Sequence, residues 1–287
     1  MANFANSEKG WNLAIDLLRS IARTLQVAGL FLHASCDLIA SRPKTRHDRA
    51  EWLHRFCARA VRKMKVGIHV HGRFPAEGAL ITNHRSYLDI VVLAAVRPCV
   101  FVSKREIAAM PILGWMTTMA GTVFVERGRG TSALQAGQAM HAAASDGLPI
   151  VFFPEGTTHS GEQLLKFHSG LLGQALLEQM PVTAGYIRYR LSADNALGVT
   201  VQQHIAWGDT PMLRHVFNFL ALHGVQADIY FANRPIAFSQ SAVDGKVAAT
   251  DRKLATVDRK LAAVEARQAV AELAPPSPAP STQEVAC

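Results

Sequence analysis

The spacing of hydrophobic and polar positions changes along the chain, and each change marks an element. From Trp11 the segment WNLAIDLLRSIARTLQVAGLFLHASCDLIA is apolar but carries Asp16, Arg19, Arg23 and Asp37. Its uncharged core, Thr24 to Ala34, is 11 residues long, short of the ~20 that span a bilayer. It also lacks the basic leader and cleavage site of a secretory signal. The pattern predicts an amphipathic or partly inserted helix pair lying at a membrane surface.

From Val66 the pattern alternates between strand and helix periods. VGIHVH has apolar residues at every second position, ALIT is a short buried run, and SYLDIVVLAAV reads as a helix. CVFVS, TVFVE and PIVFFP read as further strands, separated by a helix that Pro111 interrupts and by a helix over 131–145. A helix over 170–179 follows, then the strands VTAGYIRYR and GVTVQQHIAW, a helix over 212–222 and the strand QADIYFA. Such βα alternation with short connections predicts an α/β domain over 66–238, a mainly parallel sheet flanked by helices. Residues 1–65 form the membrane-associating segment ahead of it. Over 239–272, DRKLATVDRKLAAV writes one heptad twice, with Leu254, Val257, Leu261 and Val264 at a/d spacing. Two heptads are too few for a coiled coil and predict a short amphipathic helix. The Pro- and Ser-rich residues 273–287 read as a disordered tail.

Composition sharpens the membrane reading. Charged residues make up 18% of the 287 and hydrophobic ones 49%, against a usual charged share of ~25%, and the mean hydropathy is +0.11. The net charge of +8 is concentrated: nine Lys/Arg lie between Ser41 and Lys65 against only Asp48 and Glu51. A basic block of this kind suits an anionic surface, either lipid headgroups or nucleic acid. Its place directly after the apolar segment favours headgroups, on the cytoplasmic face of the inner membrane. The four cysteines have no CxxC spacing, so a reducing compartment is expected and no zinc site is legible.

Chemistry must be sought by context, because His-x4-Asp occurs four times: His84/Asp89, His141/Asp146, His204/Asp209 and His223/Asp228. Open α/β sheets place their sites at the carboxyl ends of strands. Only His84 and Asp89, directly after ALIT and at the start of a helix, satisfy that rule. Two other strand exits carry charge beside small residues: Glu126-Arg127-Gly128-Arg129-Gly130 and Glu155-Gly156-Thr157-Thr158. Arginines there can grip a phosphate through paired hydrogen bonds. No G-x-S-x-G elbow exists, which argues against a serine hydrolase with Ser86 as nucleophile. Gly128–Ser132 lacks the spacing and Lys of a phosphate-binding Walker loop.

Four ordered segments, NHRSYLD, GTVFVERGRG, FPEGTTHSG and PVTAGYI, resemble the conserved blocks of the glycerolipid acyltransferases (PlsC-like, 1-acylglycerol-3-phosphate acyltransferases). The resemblance runs from Asn83 to Ile187 and extends into WGDTPMLRHVFNFL. It implies acyl transfer from acyl-CoA or acyl-ACP as co-substrate to the hydroxyl of a lysophospholipid, 1-acylglycerol-3-phosphate being the first expectation. Glu126, Arg127, Glu155, Gly156 and Thr157 would bind the acceptor, and Pro181 would mark the acyl-chain side. Thr158 departs from the family's usual Arg, a form resembling members that act on other lysolipids, including lyso-ornithine lipid.

In this reading His84 is the general base and Asp89 orients it, the substrate hydroxyl standing where a triad has its serine. Backbone N–H groups at the helix start are the expected oxyanion donors. Neither metal nor further cofactor is required. The reading of another class is a non-catalytic lipid- or nucleic-acid-binding protein using the 41–65 block. Against it, a binding module has no need of a general base.

Overall fold

The computed structural model describes residues 2–109, 113–126, 130–161, 163–196, 198–208, 210–239 and 252–276. Two N-terminal helices, α1 (Ala2–Ser41) and α2 (Arg46–Lys63), lead into β1 (Val66–His71) and β2 (Ala79–Ile81). Then follow α3 (Leu88–Val96), β3 (Val100–Lys104), α4 (Arg105–Ala108), α5 (Leu113–Met119), β4 (Val123–Val125), α6 (Gly130–Ser145) and β5 (Ile150–Phe152). The chain continues through α7 (Ser169–Leu177), β6 (Val182–Leu191), α8 (Val201–His204), α9 (Met212–Ala221), β7 (Val225–Phe231) and α10 (Arg252–Glu272).

The seven strands form one sheet in the order β1-β7-β6-β2-β5-β3-β4. The five from β6 to β4 are mutually parallel. β7 returns antiparallel to β6, and β1 pairs parallel with β7. The expected mainly parallel sheet therefore carries a reversed pair at one edge. β2 lies between β6 and β5, and its three residues are fully buried, as a short apolar run covered on both faces should be. At its entry Gly78 has φ +76, and a Cβ there would lie 2.3 Å from the Pro181 carbonyl oxygen. Only glycine fits that turn.

One face of the sheet packs against α1, α2, α3 and α9 around Trp52, Phe56, Leu88, Leu93, Ile187 and Phe219. The other packs against α6, α7 and α10 around Met140, Phe152, Leu172, Ala262 and Val270. α2 opens on a reciprocal capping box, the Thr45 side chain accepting from Asp48 N–H and Asp48 accepting from Thr45 N–H. Its Phe56 meets Phe31 of α1 and its Trp52 indole N–H donates to the Ala34 carbonyl, so α1 and α2 contribute to the same core as the sheet.

Three sequence expectations change. In place of a helix pair before residue 41 there is the single helix α1. Its Arg19 and Arg23 do not interrupt it, because they donate to the Ala221, Leu220 and Leu222 carbonyls at the end of α9. Those carbonyls have no intrahelical partner and suit a cation. Residues Leu17–Ser41 form a stretch long and apolar enough to cross a membrane by length and composition, with only 11% of its most apolar window buried. The alternation in GVTVQQHIAW becomes α8, because β6 already has partners on both sides and Thr200 caps a helical turn by accepting Gln203 N–H. Finally, α10 docks on the protein through Ala262, Ala263, Ala266 and Val270, while Leu261 and Val264 of the heptad stripe are exposed. The helix approaches α7 closely: a Cβ on Gly173 would lie 2.7 Å from Arg259 Cδ.

Candidate active site

Where β2 ends, Asn83 takes over the ladder with its side chain. Its amide donates to Ile187 O (2.9 Å) and accepts from Ile187 N–H (2.7 Å), holding the chain against β6 for one more residue. His84 follows. Its Nδ1 lies 2.9 Å from Asp89 Oδ2, and its ring stacks on Phe153 from the exit of β5, centroids 3.9 Å apart. Asp89 is fully buried in the first turn of α3. Its Oδ2 also accepts from the N–H groups of Arg85 (2.7 Å) and Ser86 (2.9 Å), and its Oδ1 from the Tyr189 hydroxyl (2.7 Å). Four donors offset the desolvation of a buried carboxylate. A carboxylate so surrounded only accepts, so the His84 proton sits on Nδ1 and the Nε2 lone pair is left outward. Burial beside Asp89 pushes the Tyr189 phenol well above its ordinary value, which keeps it a donor.

A second carboxylate ties the exits of β2 and β5 together. Glu155, its side chain without solvent exposure, accepts His84 N–H on Oε1 (2.7 Å). Its Oε2 accepts from His159 Nε2 and from Leu165 N–H, both at 2.8 Å. Gly156 turns the chain with φ +67. The loop holding Leu165 is fastened in turn by Arg267 of α10, which donates to the Leu164 and Leu165 carbonyls. Glu155 is thus a brace on the His84 backbone. The N–H groups of His84, Arg85 and Ser86 are all taken by carboxylates, and Leu88 N–H by Ser86 Oγ. The expectation of oxyanion donors at this helix start does not hold for these four amides.

Comparison with known proteins bears on this geometry. The model of the Acyltransferase family matches residues 65–188. A lyso-ornithine lipid O-acyltransferase of Rhodobacter capsulatus is 32% identical over 210 residues, which are 68% of this chain and 72% of that protein. The chain belongs to the glycerolipid acyltransferase family. A family member of the same name from Pseudomonas aeruginosa is 36% identical over 170 residues, 59% of this chain and 62% of that one. A 1-acyl-sn-glycerol-3-phosphate acyltransferase of Neisseria gonorrhoeae is 35% identical over 133 residues, 45% and 52%. The chain thus spans about half to three-quarters of the length of these curated relatives. The crystal structure of the 1-acyl-sn-glycerophosphate acyltransferase PlsC from Thermotoga maritima has the same fold. Its TM-score is 0.58 at 16% identity, over 90% of this chain and 97% of that one.

Within the family's four blocks, the fold brings some sequence-predicted residues together and leaves others apart. His84, Asp89 and Glu155 share one network. Gly156 and the exposed Thr157 border it on the β5 side, and Thr158 beside them is half-buried. Glu126 stands at the exit of β4, three strands from β2, about 14 Å across the sheet. There it pairs with Arg105 at 2.9 Å. Arg127 lies outside the described residues.

The other His/Asp pairs are engaged elsewhere. His141 pairs with Glu178, and Asp146 with Arg46. His204 bonds Thr200, Asp209 is outside the described residues, and Asp228 is gripped bidentately by Arg190. The Arg190 hydrogen bonds hold the Asp228 carboxyl below its ordinary range against the opposing effect of burial. Asn83, Phe153, His159 and Tyr189 are the parts that the sequence did not announce. Tyr189 alternates with Ile187 on the buried face of β6, so its pattern reads simply as core.

Proposed function

We propose that this protein is a lysolipid O-acyltransferase that uses a thioester donor, acyl-CoA or acyl-ACP, with lyso-ornithine lipid as the acceptor. The observation carrying the chemistry is the His84–Asp89 pair at a strand exit, its outward Nε2 beside a stacked Phe153. His84 Nε2 takes the acceptor's hydroxyl proton while Asp89 stabilises the resulting imidazolium. The oxygen attacks the thioester carbonyl and forms the ester bond. The C–S bond breaks, and the thiolate leaves as a thiol with the proton from His84. Tyr189 and the amides of residues 85 and 86 keep Asp89 in place through this exchange.

The choice of acceptor reverses the order that the sequence suggested. Thr158 supplies no guanidinium for a phosphate, and ornithine carries a carboxylate and an ammonium in place of one. Relatives named for lyso-ornithine lipid match over more of the chain than the Neisseria protein named for 1-acyl-sn-glycerol-3-phosphate. The exposed face of α1, with Leu18, Leu25, Leu32 and Ile39 at seven-residue spacing, supports a chain that lies on or partly in the membrane carrying its substrate. The basic block after it supports the cytoplasmic side.

The test is an acyl-transfer assay on purified protein with both donors and with lyso-ornithine lipid and 1-acylglycerol-3-phosphate, alongside His84→Ala. Acylation of lyso-ornithine lipid, lost by three or more orders of magnitude in the variant, is the expected result. Transfer only to the phosphate acceptor overturns the acceptor choice. A His84→Ala enzyme as fast as the parent overturns the mechanism.

A further inference from the structure

Arg85 is the residue next to the outward-facing His84, and its side chain is poorly used. Its backbone is fully committed, the N–H to Asp89 and the carbonyl to Trp207 N–H at 2.8 Å. Arg85 is half-buried, and among the described residues its guanidinium makes one long bond, Nη2 to Ser160 O at 3.4 Å. Its Nε is enclosed and finds no partner among the described residues. A guanidinium offers five N–H donors and does not lose its charge. A buried cationic N–H without an acceptor is costly, and such groups in native proteins have a reason, a ligand among them.

The placement indicates which ligand. The arm crosses from the β2 exit to the loop that carries Thr157, Thr158 and Ser160, the same loop whose His159 braces Glu155. Arg85 directly follows the residue whose ring would receive the acceptor hydroxyl, and its charge reaches Tyr189 beside Asp89. Arg105, by contrast, is already held by Glu126.

We propose that Arg85 binds the headgroup oxyanion of the acceptor, the ornithine carboxylate or a lysophosphatidate phosphate, while His84 holds its hydroxyl. This rests on the lysolipid acyltransferase reading above. The planar fork suits a two-oxygen anion, and its attachment next to His84 sets the position of headgroup and hydroxyl together. Arg85 then decides which acceptors enter, a role that Thr158 cannot perform.

The experiment measures lysolipid binding without acyl donor, so that no turnover is needed. Parent, Arg85→Gln and Arg85→Lys are titrated in detergent micelles with lyso-ornithine lipid, its carboxylate methyl ester, and lysophosphatidate. Loss of a charge-assisted pair raises Kd about 10- to 100-fold in Arg85→Gln, with Arg85→Lys between. The methyl ester binds the parent as weakly as the free acid binds Arg85→Gln, and Arg85→Gln does not distinguish the two. A rise confined to the free-acid form of lyso-ornithine lipid assigns the carboxylate, and one confined to lysophosphatidate assigns the phosphate. Kd values within twofold of the parent on both acids overturn the proposal. Should Arg85→Gln fail to fold, a parent that binds acid and ester equally, and lysophosphatidate no better, overturns it as well. A parent that binds these lipids through Arg85 but transfers no acyl group refutes the enzymatic reading alone.

Discussion

Replacing Glu155 by Gln separates two roles that the residue could have. The carboxylate accepts from three donors, two of them backbone amides, at 2.7–2.8 Å. Glutamine has nearly the same shape but only one accepting oxygen. With that oxygen toward His159 and Leu165, its NH2 faces the His84 N–H, donor against donor. Turned the other way, it serves His84 and orphans the Leu165 N–H. Either placement leaves one buried amide unsatisfied, at a cost of ~1–3 kcal/mol, and lets the His84 backbone move. For a chain of this size that lowers the thermal midpoint by about 3–10 °C. A displacement of His84 approaching 1 Å would reduce kcat by about 100-fold, while the acceptor KM stays within about twofold. Thermal unfolding and initial-rate kinetics on the lysolipid give all three quantities. A Glu155→Gln enzyme with the parent's midpoint and kcat but a tenfold higher acceptor KM would show that Glu155 contacts substrate, refuting the bracing argument.

Tyr189→Phe removes a single hydroxyl from the buried Asp89 network and should cost ~1.5–3 kcal/mol of stability, read from denaturant unfolding. Because the folded-state pKa of Tyr189 is raised, the unfolded chain releases that proton first. The stability it contributes is complete below about pH 10 and falls as pH rises beyond it, so the Phe variant should lose stability less steeply there. The Asp228 carboxyl is depressed by Arg190, so its contribution is present above about pH 4 and lost as pH falls further; Asp228→Asn should flatten the acid side of the stability curve. Replacing the exposed Leu18, Leu25, Leu32 and Ile39 by Gln should weaken vesicle binding about tenfold or more, with little change in thermal midpoint. Unchanged sedimentation with vesicles would count against the α1 surface as the membrane contact. Deleting residues 1–40 is a poorer test, since it strips Arg23, Leu30 and Ala34 from the core.

Much of this protein is legible before folding because the relevant information is local. Period-2 and period-3.6 patterns identify most strands and helices, and the strand-exit rule selects His84 and Asp89 from four equal spacings. What depends on distant partners is not legible. The reversal of β7 and β1 is a matter of which edge accepts the returning strand, and no residue within either segment records it. GVTVQQHIAW alternates like a strand, yet both sides of β6 are occupied. The heptad stripe looks like the docking face of α10, but Ala262, Ala263, Ala266 and Val270 are the residues it buries.

The site divides in the same way. The residue types and their order single out the His84–Asp89 pair, which the fold joins at 2.9 Å. Glu155 as a brace, Asn83 as an extension of β2 and Tyr189 as the fourth donor to Asp89 exist only because β6 and β5 flank β2. Tyr189 lies 100 residues from Asp89 in sequence, and on a buried strand face a tyrosine's ring and a phenylalanine's leave the same pattern. Hydrophobic periodicity reports which side of an element is buried. It carries no information about which polar atom a buried side chain will meet, and that is set by the packing of segments far apart in the chain.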